Sequence, residues 1–218
     1  MSLNSVIFDM DGLLIDSEPL WNEAAEEVFQ FYGVHLTKEQ YATTTGLRTK
    51  EFVNWWFNKF NVNMEDKAQA EKHIIQKVIQ KVKTKAIVLP GVDYIFNFFK
   101  KKHFNIGLAT SSPTELIEVV IDICNIRSSL NAICSAEFLD YGKPHPQVYL
   151  NCAKALHVLP TECICFEDSF NGMISAKSAR MKCVAVPHYS ELKHEKWGAA
   201  DLKLTSLQNF SELHFNLL

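Results

Sequence analysis

Residues 4–18 read NSVIFDMDGLLIDSE, and this stretch determines how the rest of the chain is interpreted. Its apolar run ends abruptly at an aspartate and is soon followed by Gly12, the pattern of a buried strand that enters a turn. Acidic side chains then occur four times within ten positions, at Asp9, Asp11, Asp16 and Glu18. The stretch therefore predicts a first strand with an acidic cluster at its carboxyl end.

The periodicity changes between residues 16 and 85, where apolar residues recur at helical spacing and strand patterns disappear. One helical face consists of Trp21, Ala24, Ala25, Val28 and Phe29, and a stronger one of Ile74, Ile75, Val78, Ile79 and Val82. Such stripes are typical of amphipathic helices that pack against one another. We therefore predict an all-helical domain over residues 16–85, inserted after the first strand.

Helical and strand patterns alternate from Leu89 onward. The predicted strands cover residues 106–109, 132–135, 163–166 and 183–186. Repeated units of this kind imply a mostly parallel sheet with helices on both faces. The first strand must join that sheet, because an isolated strand leaves its backbone groups without partners. We therefore predict an α/β core formed by residues 1–15 and 86–218.

Composition excludes several classes of protein. The chain has 218 residues, of which 47% are apolar and 22% charged, and its formal net charge is −3. A slightly acidic chain without a dense basic face is not expected to bind nucleic acid. No apolar run approaches the roughly 18 residues that cross a bilayer, so no membrane association is expected. Six scattered cysteines, without C-x-x-C spacing or a secretion signal, predict reduced thiols in a cytoplasmic protein.

Polar side chains that could bind a ligand or a metal ion follow several of the predicted strands. In open parallel sheets ligands bind beyond the carboxyl ends of the strands. The sequence places there Asp9, Thr110, Glu167 and Asp168, together with the loop around Lys143. Converging carboxylates repel one another unless a cation lies among them. An all-oxygen ligand set suits Mg²⁺, which keeps several waters and leaves room for a phosphate oxygen.

Such a site is suited to phosphoryl transfer through an aspartyl-phosphate. Asp9 is the best-placed nucleophile, and Asp11, two residues later, can pass a proton to the leaving group. Attack on an anionic phosphate requires positive charge and hydrogen-bond donors. Lys143 and the hydroxyl of Thr110 are the obvious suppliers.

Four motifs resemble those of the haloacid dehalogenase-like (HAD) hydrolase superfamily, specifically its beta-phosphoglucomutase-like branch with a small helical cap. In order they are DMDGLLIDSEP, LATSSP, GKPHPQVY and FEDSFNG. The resemblance covers the whole chain, and four motifs in this order and spacing are highly specific. It implies a Rossmann-like core with a mostly parallel sheet and an inserted all-helical cap domain. Within the branch, the chain most resembles bacterial phosphatases of 2-deoxyglucose-6-phosphate and hexitol phosphates.

The resemblance also implies a role for each acid of the predicted metal site. Asp9 would be the nucleophile and a Mg²⁺ ligand. Asp11 would be the general acid and base, binding Mg²⁺ only through its backbone carbonyl. Asp168 would complete the site, and Glu167 would be either a direct ligand or a partner of one.

Phosphate binding is implied for a second group of residues. Thr110, the backbone of Ser111 and Lys143 would hold the transferred phosphate, and Asn171 would support a neighbouring loop. Arg48 in the helical domain is the candidate for contacting the substrate. Its alternative role is that of a solvent-exposed helix start.

The leading hypothesis is a monomeric, Mg²⁺-dependent phosphatase that acts on small sugar or polyol phosphates, of the hexose-6-phosphate or 2-deoxyglucose-6-phosphate type.

The first alternative is a sugar-phosphate mutase. Mutases that resemble this chain carry a histidine where Trp21 stands and an arginine where Thr49 stands, which disfavours that activity. Asp11 disfavours a dehalogenase, and nothing marks the Schiff-base lysine of a phosphonate-cleaving enzyme. A non-catalytic phosphate-binding regulator would be expected to lose at least one charged group of the site.

Two further interpretations of residues in the helical domain stay open. Trp21, Trp55 and Trp56 either stack against a sugar or pack the interior of the domain. Asp16 either caps the following helix or lines a hinge near the site.

Overall fold

The computed structural model describes residues 3–218 and contains one six-stranded sheet. Its strands are β1 (Ser5–Phe8), β2 (Asn105–Thr110), β3 (Ala132–Ser135), β4 (Cys163–Glu167), β5 (Lys182–Ala185) and β6 (Leu202–Lys203). They lie in the order β3-β2-β1-β4-β5-β6, and all five pairs are parallel. The predicted α/β fold with a mostly parallel sheet is confirmed.

Helices fill the long segment after β1 and then alternate with the strands. Over residues 3–218 the α-helices are α1 (Glu18–Phe29), α2 (Lys38–Thr44), α3 (Thr49–Lys59), α4 (Lys67–Lys85), α5 (Val92–Lys101), α6 (Thr114–Cys124), α7 (Gln147–Ala155), α8 (Phe170–Ser178) and α9 (Glu212–Asn216). Residues 16–85, all of them described, contain helices and no strand. We refer to residues 16–85 as the helical insert.

The central strand β1 is buried on both faces, as expected for a strand covered by helices on each side of a parallel sheet. Phe8 packs in the cluster that includes Phe96 of α5, with ring centroids 4.8 Å apart. Ile7 points to the opposite face, where it packs in the cluster that includes Tyr149 and Cys152 of α7. This alternation follows the two-residue period of a strand, so β1 packs against helices on both faces of the sheet.

The helical insert packs mainly through α1 and α4. Ala24 and Val28 of α1 are buried, as are Ile74 and Val78 of α4, which agrees with the two predicted apolar stripes. Trp21 is only half-buried, because its ring lies beside a cavity. Over residues 3–218, none of the helices has the length and apolar character that a transmembrane span requires.

Candidate active site

The ends of three adjacent strands bring the predicted site residues together. β1 lies between β2 and β4, with Phe8 opposite Leu108 of one neighbour and Phe166 of the other. Asp9 directly follows Phe8, the last paired residue of β1, and its backbone N–H donates to Phe166 O at 3.0 Å. Because the strands are parallel, the side chains after each strand meet at one edge of the sheet.

Lys143 is the buried cation of the site. Its side chain is 1% exposed, and its Nζ donates to Asp9 Oδ1 at 2.7 Å, to Glu167 Oε1 at 2.7 Å and to Ala109 O at 3.1 Å. Burial alone would lower the pKa of this lysine, but attraction to Asp9 and Glu167 outweighs burial and raises the pKa. Lys143 is therefore a fixed positive charge beside the predicted nucleophile.

The carboxylates of Asp9, Glu167 and Asp168 are crowded, with one oxygen of each lying within 4.8 Å of the others. Burial and the charge of Glu167 raise the pKa of Asp9 to about 7, despite the opposing effect of Lys143. Burial and Asp9 also raise the pKa of Asp168 well above its usual range. Asp168 Oδ1 is buried and has no hydrogen-bond partner among the described residues. A divalent cation at this place would satisfy that oxygen and relieve the repulsion, so the residues present fit Mg²⁺.

Gly12 allows Asp168 to approach the turn after β1. Its φ is +72°, and a Cβ on this residue would lie 2.1 Å from Asp168 Oδ2. Only glycine combines this backbone conformation with so close a contact. The glycine in the first motif therefore has a direct role in forming the acidic site.

Glu167 is enclosed by donors rather than left free. Its Oε1 accepts hydrogen bonds from Lys143 and from the hydroxyl of Tyr149, while Oε2 accepts from the Ser169 hydroxyl at 3.2 Å. The residue is fully buried. Its main observed role is to hold Lys143 and the turn that follows β4. Tyr149 lies within the third motif, but its contact with Glu167 was not predicted from the sequence.

The carboxylate of Asp11 is held by three donors. Ser17 Oγ and Trp21 Nε1 donate to Oδ1 at 2.7 and 2.9 Å, and Ser112 Oγ donates to Oδ2 at 2.6 Å. These donors fix the direction of the side chain and leave its backbone carbonyl uninvolved in the contacts. Sequence reasoning missed all three as partners of Asp11. Trp21 therefore has a polar role in addition to the two roles considered for it.

Thr110 and Ser111 both line the cavity above the strand ends, where they were expected. Thr110 Oγ1 accepts a hydrogen bond from the Ser112 N–H at 3.1 Å, and Ser111 Oγ donates to Gly46 O of the helical insert at 2.8 Å. Asn171 Nδ2 donates to Thr45 O at 2.9 Å. Two segments of the core are thus bonded to the backbone of the insert directly beside the cavity.

Arg48 lies outside the cavity, away from the position expected of a substrate contact. It is 4% exposed, so it is not a solvent-exposed helix start either. Its guanidinium donates to the core carbonyls of Ala136, Leu139 and Asp140, and it forms an ion pair with Glu51 at 2.6 Å. Sequence reasoning could not find these partners, because backbone carbonyls carry no residue-specific signal. Arg48 joins the insert to the segment that precedes Lys143.

The structure also shows the positions of the residues near the start of the insert and within it whose roles were left open. Trp56 is 1% exposed and packs in the interior, and its Nε1 donates to Thr44 Oγ1 at 3.2 Å. Trp55 is exposed and does not line the cavity beside Asp9. Asp16 is exposed, and the helix N-cap position is occupied by Ser17 instead.

A cavity of about 110 Å³ lies between the strand ends and the helical insert. Asp9, Asp11 and Asp168 border it from the core. The insert contributes the apolar and aromatic side chains of Trp21, Ala25, Tyr41, Phe52 and Ile74. The arrangement suits a small ligand whose reacting group meets the carboxylates and whose other end meets the insert.

Comparison with known proteins agrees with this fold. Residues 6–186 match the family model described as haloacid dehalogenase-like hydrolase. The chain is 40% identical over 204 residues to hexitol phosphatase B of Escherichia coli (strain K12), covering 93% of this chain and 92% of that protein. It is 29% identical over 182 residues to a phosphorylated carbohydrates phosphatase of Thermotoga maritima, with 81% and 82% coverage. Its fold matches beta-phosphoglucomutase of Clostridium difficile with a TM-score of 0.87, 23% identity and coverage of 98% and 96%.

The family match, together with the parallel sheet, identifies a hydrolase with an α/β fold. The chain belongs to the haloacid dehalogenase-like hydrolase family. This confirms the family and the enzyme class that the four motifs predict.

Proposed function

We propose that the protein is a Mg²⁺-dependent phosphatase that hydrolyses small sugar or polyol phosphates, of the hexose-6-phosphate or 2-deoxyglucose-6-phosphate type. The observation that carries this proposal is the contact between Lys143 Nζ and Asp9 Oδ1, at 2.7 Å, at the end of β1. A buried lysine beside a buried carboxylate provides a nucleophile and the positive charge that an incoming phosphate needs. The 40% identity to a hexitol phosphatase supports the choice of substrate class.

In the first step, an Asp9 carboxylate oxygen attacks phosphorus and the bond from phosphorus to the leaving oxygen breaks. Asp11, oriented by Ser17, Trp21 and Ser112, enters this step in its protonated form and gives its proton to that oxygen, so the sugar or polyol leaves as an alcohol. Lys143, the Thr110 hydroxyl and the Ser111 backbone stabilise the charge on the transferred phosphoryl group.

In the second step, Asp11 takes a proton from a water that attacks the phosphorus of the aspartyl-phosphate. The bond from phosphorus to the Asp9 oxygen breaks, which releases phosphate and restores both carboxyl groups. The net reaction consumes one phosphate ester and one water and yields one alcohol and one phosphate. The same aspartate serves as acid and then as base, as microscopic reversibility requires.

We propose that Asp9, Asp168 and the Asp11 backbone carbonyl hold Mg²⁺. The bound ion would neutralise the crowded carboxylates and draw charge from the phosphate oxygens. Glu167 acts as a partner of Lys143 rather than as a direct ligand, because both of its oxygens already accept hydrogen bonds.

We further propose that the helical insert, residues 16–85, is a cap domain over a core formed by residues 1–15 and 86–218. Support comes from the cavity, which both parts line, and from the bonds that Thr45, Gly46 and Arg48 make with the core. A closed cap would exclude bulk water from the reacting groups. The scattered cysteines, all with free thiols, support the further proposal of a cytoplasmic location.

The mutase alternative meets a specific obstacle at Trp21. Its indole N–H donates to Asp11 and its ring borders the cavity, in the place where resembling mutases carry a histidine. Retention of Asp9, Asp11, Thr110, Lys143 and Asp168 in one site opposes the non-catalytic alternative.

A panel of sugar and polyol phosphates tests the proposal, with phosphate release and isomer formation measured in Mg²⁺ and in chelator. We expect phosphate release that requires Mg²⁺. The Asp9→Asn variant should lose at least about 10³-fold in kcat while it keeps its fold by circular dichroism. Isomer formation without phosphate release would establish the mutase instead, and substantial activity of Asp9→Asn would show that the nucleophile is another residue.

A further inference from the structure

The cavity between the strand ends and the helical insert has a one-sided charge. Every charged side chain that borders it is acidic: Asp9, Asp11, Glu18 and Asp168. Among the described residues that line it, none is a lysine, an arginine or a histidine. Glu18, half-buried at the start of α1, is the acid that the helical insert contributes to this lining.

The two cations predicted for the site are already engaged, and the cations near Glu18, His188 and Lys196, do not border the cavity. Lys143 lies below the cavity, bonded to Asp9 and Glu167, where it serves the transferred phosphate. Arg48 is turned toward backbone carbonyls of the core and toward Glu51. One bound Mg²⁺ would balance only part of the remaining negative charge. A second anionic group on the substrate would therefore lie in a negative cavity without a partner.

Apart from the acidic Glu18, the wall contributed by the insert consists of uncharged side chains. Trp21, Phe52 and Ile74 offer apolar surface, and Asn22 and Thr45 offer neutral polar groups. Removing a carboxylate or a phosphate from water into such surroundings is unfavourable unless a cation or several donors receive it. Hydroxyl groups and methylene groups meet no comparable penalty.

We propose that this cavity selects phosphate monoesters whose leaving alcohol is uncharged and rejects those that carry a second anionic group, whether a carboxylate or a second phosphate. This inference rests on the proposed phosphatase function and narrows its substrate class. The composition of the cavity wall also disfavours a mutase. Transfer of the phosphoryl group from Asp9 to a sugar phosphate produces a bisphosphate, and this cavity has no cation for the second phosphate.

The selection can be tested with two esters that differ at one carbon. Glucitol 6-phosphate and 6-phosphogluconate share a six-carbon chain and a phosphate, but one ends in CH₂OH and the other in a carboxylate. We expect kcat/KM with Mg²⁺ to favour glucitol 6-phosphate by on the order of 100-fold, the effect of an unpaired like charge. Ratios of threefold or less would overturn the inference and leave the phosphatase proposal intact.

A variant with an added cation provides a gain-of-function test. Asn22 borders the cavity from α1, and only its backbone carbonyl accepts the hydrogen bond from the Tyr41 hydroxyl. Asn22→Lys should raise the relative kcat/KM for 6-phosphogluconate about tenfold. Asn22→Gln, the neutral control, should leave the ratio of the two esters unchanged. Equal ratios in both variants would count against charge as the basis of selection.

Binding to the inactive Asp9→Asn variant gives a result that does not depend on turnover. Isothermal titration calorimetry with Mg²⁺ should show tighter binding of glucitol 6-phosphate than of 6-phosphogluconate. If wild type releases phosphate from neither ester nor from the wider panel, the phosphatase proposal fails, and this binding ratio still decides the charge selection. Equal binding, or no binding of either ester, would overturn it.

Discussion

Gly142 lies against the side chain of Arg48 with no room for a side chain of its own. A Cβ on Gly142 would lie 2.6 Å from Arg48 Nε and 2.5 Å from Glu51 Oε2. The Gly142 N–H also donates to Glu51 Oε1 at 3.2 Å. Because Gly142 directly precedes Lys143, this contact connects the helical insert to the segment that carries the buried lysine.

Loss of this connection should reduce both catalysis and stability. In Arg48→Met the hydrogen bonds to the core carbonyls disappear, and each bond to a charged group contributes about 1.5–3 kcal/mol. We expect kcat/KM to fall between about tenfold and 100-fold. Arg48→Lys should restore only part of it, because one ammonium cannot reproduce the planar fork of the guanidinium.

The matched control is Lys50→Met, which removes an exposed cation two residues further along the insert. It should leave kcat/KM within about twofold of wild type, since exposed ion pairs contribute little. Steady-state kinetics and thermal unfolding of all three variants provide the measurements. Equal losses of kcat/KM in Arg48→Met and Lys50→Met would mean that removal of a positive charge, and not loss of the hydrogen bonds to the core carbonyls, reduces catalysis.

A double-mutant cycle tests whether Gly142 acts through Arg48. Gly142→Ala should lower kcat/KM in wild type, because the new Cβ displaces the guanidinium. The same substitution should cost less in the Arg48→Met background, where the bonds to be disturbed are already absent. Coupling of about 0.5–3 kcal/mol is expected for residues in such contact. Strictly additive effects would show that Gly142→Ala disturbs Lys143 by another route.

The sequence was informative where a residue's role depends on its own type and on its position along a strand. Asp9, Thr110 and Asp168 follow apolar runs, and the parallel sheet brings such positions to one edge. Residues 16–85 could be assigned to helices rather than strands because the helical and strand periods differ. β6 was missed since two residues are too few to show a period.

Contacts that depend on the angle between helices and core were not predictable. The three donors to Asp11 come from the N-cap of α1, from α1 itself and from the loop that follows β2, up to 101 positions away in sequence. Arg48 binds carbonyls, which every residue possesses. Tyr149 lies in a recognised motif, yet its contact with Glu167 depends on the direction of α7.

The hydrogen bond from Ser112 Oγ to Asp11 Oδ2 predicts a selective effect on kcat. Ser112→Ala removes one of three donors from the group that moves the proton. A lost hydrogen bond to a charged group, about 1.5–3 kcal/mol, corresponds to a decrease in kcat of roughly tenfold or more. KM should stay within about twofold, because Asp11 takes part in the chemical steps. Ser128→Ala, at an exposed serine, is the control. A raised KM with unchanged kcat would assign Ser112 to substrate binding instead.

The acidic cluster predicts that one substitution stabilises the metal-free protein while it abolishes activity. Burial and Asp9 raise the pKa of Asp168, so the folded state holds this proton more tightly than the unfolded chain does. The ionised carboxylate therefore opposes folding, and the penalty grows as pH rises from 5 to 8. In chelator at pH 8, Asp168→Asn should raise Tm by about 2–4 °C, the shift that ~1 kcal/mol produces. At pH 5 the gain should be smaller.

Two further measurements complete this test: Tm with added Mg²⁺, and Tm of a control variant at a second aspartate, Asp201. Mg²⁺ should raise the Tm of wild type by preferential binding to the folded state, but should have little effect on Asp168→Asn. At Asp201, burial is outweighed by the hydrogen bond from Lys177, which lowers the pKa, so its charge favours folding. Asp201→Asn should therefore lower Tm with or without Mg²⁺. If Asp168→Asn also lowers Tm in chelator, the carboxylate is not under electrostatic strain and the proposed metal site loses its main physical support.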